Sequence, residues 1–101
     1  MIALSILIPT VKRHASFLAT LLLELNLQAM PYEGQIEILV DDSEIDSIGE
    51  KRNRLLARSG GKYVVFFDAD DRPSPTYISS NMAGIEKGVD CCSLKGEYSV
   101  D

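Results

Sequence analysis

Basic residues are scarce in this chain: 10 Lys and Arg stand against 15 Asp and Glu, a net charge of −5 with a pI near 4.7. A nucleic-acid-binding domain normally carries a basic face, so no nucleic-acid partner is expected. An acidic protein that holds a phosphate also needs a metal cation or a local basic cluster to do so. Long apolar runs are lacking too. Met1 to Ile8 is apolar but has no basic start and meets Pro9, too short for a secretory core with its cleavage site. The leucine-rich stretch Phe17 to Met30 is interrupted by Glu24 and Asn26. It falls short of the ~20 residues a membrane span needs. Cysteine is confined to the neighbours Cys91 and Cys92, which have no nearby histidine and read as small buried side chains rather than metal ligands or nucleophiles. A reduced, cytoplasmic protein without a membrane span is the expectation.

The 101 residues allow one domain, residues 1–101, and the 46% hydrophobic and 25% charged fractions are those of a globular fold. Ile2 to Ile8 is a near-continuous apolar run, as in a strand covered on both faces. From about Ala15 to Met30 the spacing turns helical, with Phe17, Leu18, Leu21, Leu22 and Leu25 on one stripe and Pro31 as the stop. Ile36 to Val40 is a second strand. Ser47-Ile48-Gly49-Glu50 has the form of a capping box that opens a second helix, with Gly60-Gly61 expected to end it. Tyr63 to Phe67 is a third strand. Ser74-Pro75 marks a third helix whose inner stripe is Tyr77, Ile78, Met82 and Ile85 and whose stop is Gly88. Val89 to Leu94 and Glu97 to Val100 read as two further strands about a Lys95-Gly96 turn. Strand and helix alternate, which predicts an α/β fold with a mainly parallel sheet and helices on both faces. The C-terminal end reads as truncated.

Ligands of such sheets bind at the carboxyl ends of the strands. Those ends carry Pro9-Thr10, then Asp41-Asp42-Ser43, then Asp68-Ala69-Asp70-Asp71. With the three strands adjacent, five carboxylates converge on one rim and raise one another's pKa values unless a positive charge sits among them. A divalent cation that prefers oxygen ligands, Mg²⁺ or Mn²⁺, meets that need. The alternative is a solvated acidic loop, since Asp is also a favoured turn residue.

Val65-Phe66-Phe67-Asp68-Ala69-Asp70-Asp71 resembles the DxD motif of GT-A fold glycosyltransferases, in the hhhDxDD form of family 2. Three further segments agree in order and spacing. Ser5-Ile6-Leu7-Ile8-Pro9-Thr10 resembles the opening hSIIIPTYNR strand, with Lys12-Arg13 for Asn-Arg. Glu37 to Ser43 resembles EIIVVDDGS, with Ser43 at the glycine position. Gly49 to Asn53, continuing to Tyr63, resembles GxxRNxGLxxAxGEY.

The resemblance implies a Rossmann-like nucleotide-sugar-binding half whose donor is a UDP-sugar, UDP-glucose or UDP-galactose, with Mn²⁺ or Mg²⁺. Thr10, beside Pro9, and Asp42 or Asp41 match the positions that hold the base. Arg52 matches an arginine near base and phosphates, and Arg13 lies where it can approach a phosphate. Asp68 and Asp70, flanking Ala69, match the DxD pair, with Asp71 as a further metal ligand. Two of Lys51, Arg54 and Arg58 are expected to be a solvated helix face, and His14 to be solvated at a helix start.

In the complete protein the resemblance implies inverting glycosyl transfer to an acceptor hydroxyl, with a catalytic base from a later segment. No base is assigned within this chain; Asp90, Glu97 and Asp101 are the first places to look were it active alone. The chain is therefore expected to bind donor without transferring it, and to self-associate through a truncated sheet edge. The rival is a nucleotide-binding or regulatory module without catalysis. Receiver domains place paired acids after their first strand, not their second. Haloacid-dehalogenase phosphatases open with their Asp-x-Asp, rather than carrying it after a third strand.

Overall fold

A computed structural model describes residues 2–43, 47–87 and 93–94. Strand β1 (Leu4–Pro9) leads through a 3-10 turn at Lys12–His14 into helix α1 (Ala15–Ala29), and a second 3-10 turn at Met30–Tyr32 leads to β2 (Ile36–Asp41). Helix α2 (Ile48–Arg58), β3 (Tyr63–Phe66), α3 (Tyr77–Lys87) and the short β4 (Ser93–Leu94) follow. The sheet order is β2-β1-β3-β4. β1 is parallel to both neighbours, with Leu4 opposite Ile36 and Tyr63, and Pro9 opposite Asp41.

Alternation along β1 explains its continuous apolar run. Leu4, Ile6 and Ile8 face Leu21 and Leu25 of α1 and Ile78 and Met82 of α3. Leu7 faces the other way, onto Leu55 and Leu56 of α2 and Val64 of β3. All six residues of β1 are buried, so the fold is α/β with a three-stranded parallel core and helices on both faces. Among the described residues, no helix is long and apolar enough to cross a membrane.

The expected caps hold at one helix end and fail at two. Ser47 caps α2, its Oγ accepting from the Glu50 N–H at 3.2 Å. Gly60 and Gly61 do not stop α2 in a left-handed turn; among the described residues only Gly34 has positive φ, 83°. Ser59 ends the helix instead, with extended backbone. Its N–H donates to the Leu55 and Leu56 carbonyls at 3.0 and 3.2 Å, and its Oγ to Leu56 O at 2.7 Å. Helix α3 begins at Tyr77, not at Ser74-Pro75. Its entry is held by Gln28 of α1, which donates to Ser74 O at 2.8 Å and accepts from the Ile78 N–H at 3.0 Å.

Two further expectations are corrected. Phe17 is 54% exposed rather than part of the α1 core stripe. At about 100° per residue it sits on the edge of an arc centred near Leu25, and its ring meets His14 edge-on at 5.8 Å instead. β4 pairs antiparallel with β3, Tyr63 opposite Leu94. The Tyr77 ring at the start of α3 meets Phe67, beyond the end of β3, edge-on at 5.1 Å, and Met82, Ile85 and Glu86 farther along the helix lie by Ala3 and Gln35 at the opposite end of the sheet. The predicted Gly88 stop, Cys91 and Cys92, the strand at 97–100, and Asp90, Glu97 and Asp101 lie outside the described residues.

Candidate functional site

The parallel register brings the carboxyl ends of β1, β2 and β3 to one rim. The Thr10 N–H donates to Asp41 O at 2.9 Å and the Phe67 N–H to Leu7 O at 3.0 Å, so all three chains leave the sheet side by side. Between the segment after β1 and the segment after β3 lies a cleft of about 280 Å³, lined by Pro9, Thr10, Val11, Arg13, His14, Asp68, Ala69 and Asp70. Six of the residues expected from sequence therefore share one wall or the other, and basic Arg13 and His14 face the acidic loop across it. Asp68, Asp70 and Asp71 are all exposed, and each places a carboxylate oxygen within 4.8 Å of the others. The turn that gathers them is closed by the Asp71 N–H donating to Asp68 O at 3.1 Å.

On the β2 side a more open depression of about 630 Å³ is lined by Lys12, Val40, Asp41, Asp42, Ser43, Arg54 and Arg58. Asp41 and Asp42 have different duties here. The Asp41 side chain is 7% exposed; its Oδ2 accepts from Arg54 Nε at 2.5 Å and its Oδ1 from the Ser43 N–H at 3.1 Å. Alternation explains the direction, because Asp41 points to the same side as Leu39, toward α2. Asp42 is exposed on the same depression.

Asp41 is lowered below the ordinary carboxylate range, chiefly by the Arg54 hydrogen bond, against an opposing effect of burial, with further help from Ser43, the Arg54 charge and the Lys51 charge. A carboxyl group depressed in the folded state adds stability above its unfolded pKa, and that contribution is lost as pH falls through the folded value. Arg54→Gln is expected to move the acid-unfolding midpoint to higher pH. At neutral pH the loss should be only about 1 kcal/mol, because the Arg54 side chain is 42% exposed and solvent screens the pair. Circular dichroism across an acid titration reads both effects.

The solved structure of S. aureus TarS 1-349 is similar to this chain, with a TM-score of 0.62 at 16% identity over 85% of this chain and 33% of that one. At that identity the likeness concerns fold alone, and this chain spans about a third of the other's length. No family model and no curated protein matches the sequence.

Two residues expected on or near the site behave differently. Arg52 lines neither depression; its guanidinium lies 5.1 Å from the centre of the Phe66 ring, in a cation–π contact. Of Lys51, Arg54 and Arg58, two are exposed as expected, Arg58 and Arg54, the latter also pairing with Asp41, whereas Lys51 is 2% exposed. The signal for Lys51 was present: Lys51, Leu55 and Ser59 follow one another at four-residue steps, on the helix face turned to the sheet, and all three are buried.

Proposed function

We propose that this chain binds a UDP-sugar donor with Mn²⁺ or Mg²⁺ and that, as part of a complete protein, it serves glycosyl transfer to an acceptor hydroxyl. The observation that carries the reading is the cleft in which Thr10, Arg13 and His14 face the Asp68–Asp71 turn on a glycosyltransferase-like fold. TarS is itself a glycosyltransferase.

The donor set fits a hard divalent cation. Three exposed carboxylates offer oxygen atoms within 4.8 Å of one another, an incomplete shell of the kind Mg²⁺ and Mn²⁺ fill with water and phosphate oxygens. Asp68, Asp70 and Asp71 would hold the ion, whose chemistry is charge stabilisation on a departing diphosphate. Arg13 and His14 then supply the basic side that the −5 chain otherwise lacks. Thr10 and Asp42 read the base. Asp42 is preferred to Asp41 because both oxygens of Asp41 are already committed, whereas Asp42 is exposed on the β2-side depression, and a carboxylate there suits a uracil imide proton.

Calorimetry with UDP, ADP and GDP in the presence of Mn²⁺ tests this reading. UDP is expected to bind most tightly. Asp42→Ala should weaken UDP by about tenfold or more, the loss of a hydrogen bond to a charged group, while leaving ADP and GDP little changed. Equal affinity for all three nucleotides would remove the uracil assignment.

A further inference from the structure

Lys51 is the most deeply buried charged side chain among the described residues, at 2% exposure in the first turn of α2. Its Nζ donates to Thr10 O at 2.7 Å. The other half of the Thr10 peptide backbone is also held, its N–H donating to Asp41 O at 2.9 Å. Thr10 is itself 4% exposed, and it is the residue at which the chain leaves β1 to form the Pro9–His14 wall of the cleft. The wall is therefore clamped between the end of β2 and the start of α2.

The choice of lysine needs a reason. Burying an ammonium group costs several kcal/mol in desolvation, and apolar residues of similar volume often serve a fold equally well or better. At this position Leu55 and Leu56 already provide the apolar contact of α2 with the sheet. A fold that needed only packing here would be met by Met or Leu.

We infer that Lys51 is a positioning residue for the nucleotide site: through its bond to the Thr10 carbonyl it fixes the height and direction of the loop that reads the base. The inference rests on the UDP-binding reading above. Lys51 touches no ligand in this scheme. It acts through Thr10, and its charge also lies close enough to Asp41 to favour the ionised carboxylate that anchors Arg54 and Ser43. One side chain thus couples α2 to both sides of the base site.

The experiment compares wild type, Lys51→Met, Lys51→Gln and Lys51→Arg by thermal melt, by UDP titration with Mn²⁺ below the onset of unfolding, and by amide hydrogen exchange. Lys51→Met is expected to melt within a few degrees of wild type and to bind UDP about 10–100-fold more weakly, as for loss of a partner that orients a binding group. Exchange at the Thr10 amide should quicken while the amides of Ile6 and Leu7 keep their protection. Lys51→Arg should recover part of the affinity, and Lys51→Gln, which keeps a donor without the charge, serves as the second reading should the methionine variant fold poorly. Unchanged UDP affinity in the folded Met and Gln variants would overturn the inference. So would a uniform loss of protection along β1, which would mark Lys51 as a stability residue. Wild-type protein that binds no UDP would sink the functional reading instead. The exchange arm then still decides whether Lys51 holds Thr10 in place.

Discussion

Chelation of divalent cations is expected to weaken UDP binding to this chain by about a hundredfold, and Asp70→Asn to weaken it by about 10–100-fold with Mn²⁺ present. The rim explains why the effect should be large. Arg54 already neutralises Asp41, so Asp42, Asp68, Asp70 and Asp71 remain as the acids a diphosphate would meet. Against them the cleft offers Arg13 and His14. A bound divalent ion changes the sign of the field where the diphosphate must sit, and its loss returns a repulsive site. Asp70 belongs both to the cleft and to the three-carboxylate turn, so it is the position where removing one negative oxygen touches ion and nucleotide together. The apo protein should gain rather than lose from the change: Asp70 is exposed and its nearest carboxylates, Asp68 and Asp71, crowd it with like charge. Asp70→Asn is therefore expected to melt at the wild-type temperature or slightly above it without metal. Equal UDP affinity with and without EDTA would remove the metal from the scheme. Lost thermal stability with unchanged UDP affinity would make Asp70 structural.

The fold was legible where one local rule governed. Leu4 to Ile8 gave a strand buried on both faces because two helices cover one side and α2 the other, and a run that is apolar but for the hydrogen-bonded Ser5 satisfies both. Ser47 gave the α2 start because a hydroxyl three residues before a free N–H is a local solution. The Asp68–Asp71 turn was visible for a similar reason, since the acids follow directly on a strand whose end is fixed by pairing with β1. What stayed hidden was tertiary. Gln28 substitutes for the Ser74 cap from 46 residues away, and β4 pairs antiparallel with β3. Lys51 and Arg54 carry the same charge and lie three residues apart, yet one faces the sheet and the other the rim. Helical phase marks the buried row of Lys51, Leu55 and Ser59, but not the partners, Thr10 O and Asp41, that the two side chains meet.

The Gly60-Gly61 pair, misread as a helix stop, leads to the sharpest stability contrast in the molecule. Gly61→Ala is expected to cost about 1–3 kcal/mol, whereas Gly60→Ala should be neutral or stabilising by up to about 1 kcal/mol. Neither glycine has positive φ, so alanine is conformationally acceptable at both, and on chain entropy alone both substitutions would help. Space decides otherwise. A Cβ on Gly60 would meet Glu37 Oε2 at 3.8 Å and Ile2 Cδ1 at 3.9 Å, ordinary contact distances. On Gly61 it would lie 2.5 Å from Ser5 Oγ, 2.8 Å from Ser5 N and 3.0 Å from Leu4 C. The last two are backbone atoms of the central strand, held by pairing on both sides, and cannot step away. Displacement would also loosen a polar chain that crosses the sheet end: the Gly61 N–H donates to Ser5 Oγ at 2.9 Å, Ser5 Oγ donates to Glu37 Oε2 at 2.6 Å, and the Gly60 N–H donates to the same oxygen at 2.6 Å. Ser5 is fully buried, so any donor or acceptor orphaned there adds its desolvation cost. In a domain of this size the Gly61→Ala loss corresponds to a melting temperature lower by about 5–20 °C. Ser5→Ala should not rescue it, because removing the hydroxyl leaves the backbone contacts in place. Thermal melts of the two alanine variants and of Ser5→Ala/Gly61→Ala decide the matter. Equal melting temperatures for Gly60→Ala and Gly61→Ala would show that β1 and the segment entering β3 do not approach as closely as these distances require.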